Sequence, residues 1–190
     1  MYQALLADAK FHELLLAIDR DLAAAARATP CVHCRGVVHS GGYQRKPRGR
    51  PDGLGEAYDR RFSFSCSRRD CRKRKTPASL RFLGPKVYVA GMVVLVSALR
   101  DRPTAARTQK LLQLVGVGRR TVGRWRTWWL DVFMPSPFWR VAAAAFMPPV
   151  DKGRLPASLL ERFAGSLQEQ LIALLRFLGP ITGGVAMRVA

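Results

Sequence analysis

The chain has 190 residues, enough for one domain or two small ones, and 48% of them are hydrophobic, so a packed core is expected and global disorder is excluded. Its 32 Lys and Arg against 13 Asp and Glu give a net charge of +19. An excess of that size points to a polyanionic partner, nucleic acid first.

From the N-terminus, residues 3–28 read as a helix, with Leu5, Leu6, Leu14, Leu15, Ile18 and Leu22 at roughly helical spacing and Pro30 as the stop. This start lacks the basic region of a secretory signal and carries acids early, so a cytoplasmic, nucleoid-associated protein is expected. The predicted segments are an N-terminal helix (1–29), a four-cysteine ribbon with a basic loop (30–84), a helix-turn-helix unit (85–132) and a Pro-punctuated helical segment (133–190). The fold class expected is therefore mainly α with a small β zinc ribbon.

The first chemical signal is "CVHC" followed by "CSRRDC", which pairs Cys31 with Cys34 and Cys66 with Cys71. Two such knuckles flank strand-like pieces, "GVVHSGGY" and "RRFSFSC", as in a zinc ribbon, where four thiolates close a tetrahedral shell. Disulfides are disfavoured in a cytosolic chain. His33 or His39 remains an alternative ligand in place of one cysteine. With every position filled by protein, the Zn²⁺ would be structural.

Basic clusters surround this segment. Arg68, Arg69, Arg72, Lys73, Arg74 and Lys75 wrap the second knuckle. Arg45, Lys46, Arg48 and Arg50 lie in the loop between the strands, expected to be mobile. Both clusters are expected to contact phosphates. Next, "PKVYVAGMVVLVSALRD" reads as a buried helix opened by Pro85. Its apolar run of about 13 residues falls short of the roughly 20 that cross a bilayer, so no membrane partner is expected.

"TAARTQKLLQLV" reads as a helix capped by Thr104 and leads into "VGVGRRTVGRWRTWW". From Thr108 onward the twenty residues fit a helix-turn-helix. Gly116 is the turn glycine, and Leu111, Val115, Val117, Val122 and Trp125 take the apolar positions. The stretch resembles the helix-turn-helix units of bacterial DNA-binding proteins and of resolvase or transposase arms. It departs from them at Leu112, where a small residue is preferred, and at Gly118, in place of a Ser or Thr cap. The spacing turns Val122, Trp125 and Trp129 inward and Arg119, Arg120, Gly123, Arg124 and Thr127 outward, with Arg126 at the edge. Such an outward face is suited to base edges in the major groove.

After "MPSPFW" and "MPPVDKGRLP", the last expected helix is "PASLLERFAGSLQEQLIALLRFL", ended by Gly179-Pro180. The carboxylates of this tail, Asp131, Asp151, Glu161 and Glu169, have no sheet scaffold on which to converge around metal ions. His12, His33 and His39 offer no pair for relaxase chemistry, so a non-catalytic protein is expected.

The ribbon, "RKRKTPASLRFLGPKVY" and the helix-turn-helix together resemble the DNA-binding front end of bacterial insertion-sequence transposases, over roughly residues 30–130. The tail resembles that of small mobile-element proteins. The resemblance implies recognition of element ends in double-stranded DNA, as an accessory subunit whose C-terminal helix docks a transposase or integrase. A dimeric transcriptional repressor, an RNA-binding ribbon protein and a metal-dependent nicking enzyme are the alternatives.

Overall fold

A computed structural model describes residues 2–45, 47–84, 88–98 and 116–183, together with Ala106 and Gln109. The N-terminal helix is broken in two, α1 (Tyr2–Ala7) and α2 (Ala9–Ala28), because Asp8 is extended and its carboxylate accepts from the Lys10 N–H as an N-cap. Thr29, extended ahead of Pro30, ends α2. The buried stripe of α2 is Phe11, His12, Leu15, Leu16, Asp19 and Ala23, whereas Leu14 is exposed. Its inward face is therefore rotated from the leucine register toward two polar residues, and the reason lies in their partners.

Five short strands follow: β1 (Val38–Ser40), β2 (Tyr43–Gln44), β3 (Arg60–Arg61), β4 (Phe64–Cys66) and β5 (Arg74–Lys75), with the one-turn helix α3 (Glu56–Asp59) leading into β3. They form an antiparallel three-stranded sheet ordered β1-β4-β5, with Val38 opposite Cys66, and a β2-β3 pair. The apolar helix α4 (Ala90–Ser97) is shorter than its sequence pattern suggests. Ahead of it, Tyr88 and Val89 form isolated bridges with Arg48 and Phe82. Every residue of α4 is buried, as its apolar run from Ala90 to Val96 requires, and Ser97 at its end is buried with it.

Helix α5 (Arg119–Trp128) runs into a π-turn over Trp129–Phe133, followed by α6 (Pro137–Ala142) and α7 (Ala157–Leu160). The expected long C-terminal helix is instead split. Gly165 at φ +96° allows a turn, and Ser166 with Glu169 forms a capping box that restarts the chain as α8 (Leu167–Phe177). Nor does Gly179-Pro180 end the helical segment: these residues open α9 (Gly179–Thr182). One core takes Leu15 from α2, Tyr58 from α3, Val94 from α4, Trp129 after α5 and Leu174 from α8, so all four predicted segments share it. Among the described residues, no helix is long and apolar enough to cross a membrane.

The polar groups in that core pair with one another. Asp19 and Arg81 form an ion pair at 2.8 Å with both side chains fully buried. The other Asp19 oxygen accepts from the Leu80 N–H at 2.6 Å, and Ser79 Oγ donates to the carboxylate at 2.5 Å. The Arg81 guanidinium also donates to the carbonyls of Tyr58 and Arg60 and lies against the rings of Tyr58, Phe62 and Phe82. Nearby, His12 Nδ1 accepts from the Tyr58 hydroxyl at 2.7 Å while Nε2 donates to the Leu6 carbonyl at 3.0 Å, an assignment set by the carbonyl's need for a donor.

Removing one member of a fully buried pair strands the other charge. Asp19→Ala is expected to cost about 3–5 kcal/mol in chemical denaturation. Glu161→Ala, which breaks the exposed Arg154–Glu161 pair, should cost no more than about 1 kcal/mol. Equal effects would remove the Asp19 network from its central place.

Burial holds the His12 pKa below its ordinary 6.5, against the opposing pull of the Leu6 carbonyl and Asp8. The folded state therefore binds fewer protons than the unfolded chain. Its stability is full above about pH 6.5 and falls as the pH drops toward the folded value. Replacing His12 by Leu is expected to flatten this part of the stability-versus-pH curve, measured by denaturation at several pH values between 7.5 and 5.

Candidate metal centre and basic surface

The local backbone brings the four cysteines together. Residues Cys31–Cys34 turn back on themselves, with the Arg35 N–H donating to the Cys31 carbonyl at 2.7 Å and the Cys31 N–H to the Gly36 carbonyl at 2.9 Å. The second turn repeats the device, the Arg72 N–H reaching the Arg68 carbonyl at 3.1 Å. Arg35 and Arg72, each directly after a cysteine, have positive φ values of 57° and 46°. Left-handed backbone at two non-glycine residues in equivalent places is a cost that an outside constraint must offset.

Cys31 and Cys71 lie 3.7 Å apart at sulfur and Cys34 and Cys66 3.4 Å apart. All four sulfurs fall within 4.8 Å of one another, and all four cysteines are free. A tetrahedron with metal–sulfur bonds of about 2.3 Å has edges of about 3.8 Å, so the spacing fits a four-thiolate metal site. Among the described residues this is the group able to hold a metal ion, and it contains only cysteine. His33 and His39 are exposed and lie outside it.

The clustered thiols shift in opposite directions. Backbone N–H groups of His33 and Cys34 lower the Cys31 thiol to about 7, although its burial acts the other way. At Cys66 the Arg68 N–H favours the thiolate, but burial and the three neighbouring thiols push it up to about 12. At Cys71 the Lys73 N–H favours the thiolate, but burial and the Cys34 and Cys31 thiols outweigh it and raise the pKa. Four thiols this close cannot all ionise alone; a bound divalent ion would supply the missing positive charge.

The cations near the knuckles divide into free and engaged. Arg69, Arg72 and Lys73 are exposed. Arg68, also exposed, donates to the Cys34 carbonyl at 3.3 Å, and Arg74 lies over the Tyr43 ring at 5.7 Å. Lys75 is half-buried and donates to the Ala26 carbonyl, closing the end of α2. The loop expected to be mobile is tied to the body at several points. Arg45 donates to the Gly84 carbonyl and lies over Phe82, and the Arg48 carbonyl accepts from the Val89 N–H. Arg50 donates to the Leu54 carbonyl at 2.7 Å and pairs with Asp59 at 3.2 Å. Lys46 lies outside the described residues. Sequence reasoning missed Arg61 and Arg81, which are buried and hold the fold; a cation in "PASLRFL" between apolar neighbours was the available signal.

Helix α5 begins after Gly116, whose φ of +62° places it in the left-handed region, and Gly118 is its N-cap. The Gly116 carbonyl accepts from the Tyr88 hydroxyl at 3.0 Å, and the Tyr88 ring meets Trp125 edge-on at 5.0 Å. Val117, Val122, Trp125 and Trp129 are buried. Beyond them, ring contacts run from Trp129, edge-on to Phe133 at 5.0 Å, and onward through Trp139 and Phe146 to Phe177 on α8. These tryptophans anchor the helix. Arg119, Arg120, Gly123, Arg124 and Thr127 are exposed and Arg126 is half-buried, while a Cβ on Gly123 would meet only open space. In the preceding helix of the expected pattern, Thr104, Thr108, Leu111, Leu112 and Val115 lie outside the described residues.

The tail carboxylates are placed apart in local roles. Asp151 accepts from the Gly153 N–H, Glu161 pairs with Arg154, and Glu169 accepts from the Ser166 N–H, which lowers its pKa. Asp131 is exposed. Comparison of the chain with protein-family models, curated proteins and solved structures finds no match.

Elemental analysis of purified protein is expected to find one equivalent of a thiophilic metal. Cys66→Ser should lose it, and exhaustive chelation of the unmutated chain should open residues 31–75 to amide exchange. Metal-free protein with unchanged exchange protection would remove the ion from this account.

Proposed function

We propose that the protein is a non-catalytic DNA-binding protein in which a structural Zn²⁺ held by Cys31, Cys34, Cys66 and Cys71 closes a zinc ribbon and α5 is the recognition helix of a helix-turn-helix. The observation that carries the reading is the two-sided character of α5. Its tryptophans are committed to the core, so Arg119, Arg120, Arg124 and Thr127 stand on a rigid, open face suited to base edges. Zinc is favoured for an all-thiolate tetrahedral shell. Arg69, Arg72, Lys73 and Arg74 supply contacts to phosphate, in keeping with a charge of +19. By the resemblance noted above, the role is recognition of element ends in a transposition or integration complex. A transposase or integrase is then the partner of the C-terminal segment, and the nucleoid the place of action. Leu171, Leu174 and Leu175 of α8 are buried in the chain's own core, so that partner would meet the exposed remainder.

Arg119→Ala, Arg120→Ala and Arg124→Ala are each expected to weaken the selected site by about 1–3 kcal/mol and relax preference at one base pair. Lys73→Ala and Arg74→Ala should instead weaken all duplexes alike and flatten the salt slope by about one unit each. Selection from a random duplex library, then titration of each variant at two salt concentrations, makes the comparison. Uniform behaviour of all five would reduce α5 to a basic patch, and preference for structured RNA would replace the ligand.

A further inference from the structure

A groove of about 350 Å³ lies between α2 and the strands, within the size range of small-ligand sites. One wall is the methyl groups of Ala23 and Ala24 with Arg27 a turn beyond, and the opposite wall is Ser40 and Gly42. Half-buried Phe62 contributes the accessible aromatic surface, while Phe64 is buried, and Arg60 also lines the groove. Gly42 is needed here, since a Cβ would come within 3.0 Å of Arg60 Nε and of the Arg61 carbonyl oxygen. Arg27 and Arg60 are both exposed, and the lining contains no carboxylate.

We propose that this groove binds an unpaired nucleotide, with the base against Phe62 and the alanine methyls and its phosphates between Arg27 and Arg60. A planar apolar group carrying negative charge satisfies both halves of the lining. Aromatic surface beside cations is how single-stranded nucleic acid is held without sequence reading. Duplex DNA offers no such group to a groove of this size, so the ligand is a single-stranded extension or an opened end. The inference rests on the nucleic-acid reading above but not on α5, and it gives the protein a reason to prefer DNA ends over continuous duplex.

The test compares a blunt duplex with the same duplex bearing three-nucleotide single-stranded ends, by fluorescence anisotropy on the full zinc-loaded chain. The extended duplex is expected to bind about tenfold more tightly. Ala24→Phe fills the groove from an exposed position and should abolish the difference while leaving blunt-duplex affinity unchanged. Arg27→Glu with Arg60→Glu should reduce the extended-duplex advantage severalfold, with folding checked by thermal melting. Equal binding of the two duplexes by the unmutated protein, or an advantage that survives Ala24→Phe, overturns the proposal. Arg124→Ala separates the two readings: it should weaken both duplexes and leave their ratio intact. A harmless Arg124→Ala with a ratio that still collapses in Ala24→Phe removes α5 as reader and keeps the groove.

Discussion

The buried pair of Asp19 and Arg81 is the interaction on which the arrangement depends. Desolvating two charges is expensive, and the attraction between them offsets it only where the remaining hydrogen-bonding positions are also filled. Here they are filled by three different parts of the chain. Asp19 comes from α2, and Ser79, Leu80 and Arg81 come from the segment after the sheet. The carbonyls of Tyr58 and Arg60 come from α3 and β3. Arg61 extends the network by donating to the carbonyls of Pro77 and Thr182, and the Ser79 N–H donates to Thr182 Oγ1. Strand β3, which leads into the cysteine-bearing strand β4, is thus fastened to the helical body by polar bonds that tolerate little displacement, because any shift strands a charge away from water.

That fastening has a functional consequence. A small sheet with few buried side chains cannot hold its own position, and the second cluster of buried residues is only Ala23, Cys31, Val38, Phe64 and Cys66. The Arg81 network supplies rigidity from behind, and a metal ion held by the four cysteines would add it within the turns. The cations on the second knuckle therefore project from a fixed frame. By contrast, α5 is fixed by apolar contacts, Trp125 on Tyr88 and Trp129 in the aromatic series reaching α8. Two unlike kinds of packing hold the two basic surfaces, and both kinds work through the core.

The arginines fall into two populations with different physics. Arg61 and Arg81 are buried, and Arg45 and Arg50 are engaged with carbonyls, rings or a carboxylate. Arg69, Arg72, Arg119, Arg120 and Arg124 face solvent. A guanidinium suits either task, since its planar fork satisfies several carbonyls at once indoors and meets phosphate or a base edge outdoors. The formal charge of the chain therefore overstates what is offered to a partner.

What the sequence by itself determined is local. The paired cysteine spacing specified the two turns, Gly116 and Gly118 the start of α5, and the three- and four-residue intervals of Val122, Trp125 and Trp129 its inward face. Each depends on neighbours a few residues apart, so one-dimensional spacing carries it. The "SLQE" capping box that splits the C-terminal helix was equally local and was masked by the leucine pattern around it. Only the tertiary structure decided the rest. Asp19 reads as an ordinary surface residue of an amphipathic helix until Arg81, 62 positions away, is brought to it. His12 likewise reads as surface until Tyr58 arrives, and Arg45 and Arg50 read as free until Gly84, Phe82 and Asp59 reach them. Whether a polar side chain is solvated or buried depends on partners distant in the chain, and no spacing rule within a helix or loop contains that information.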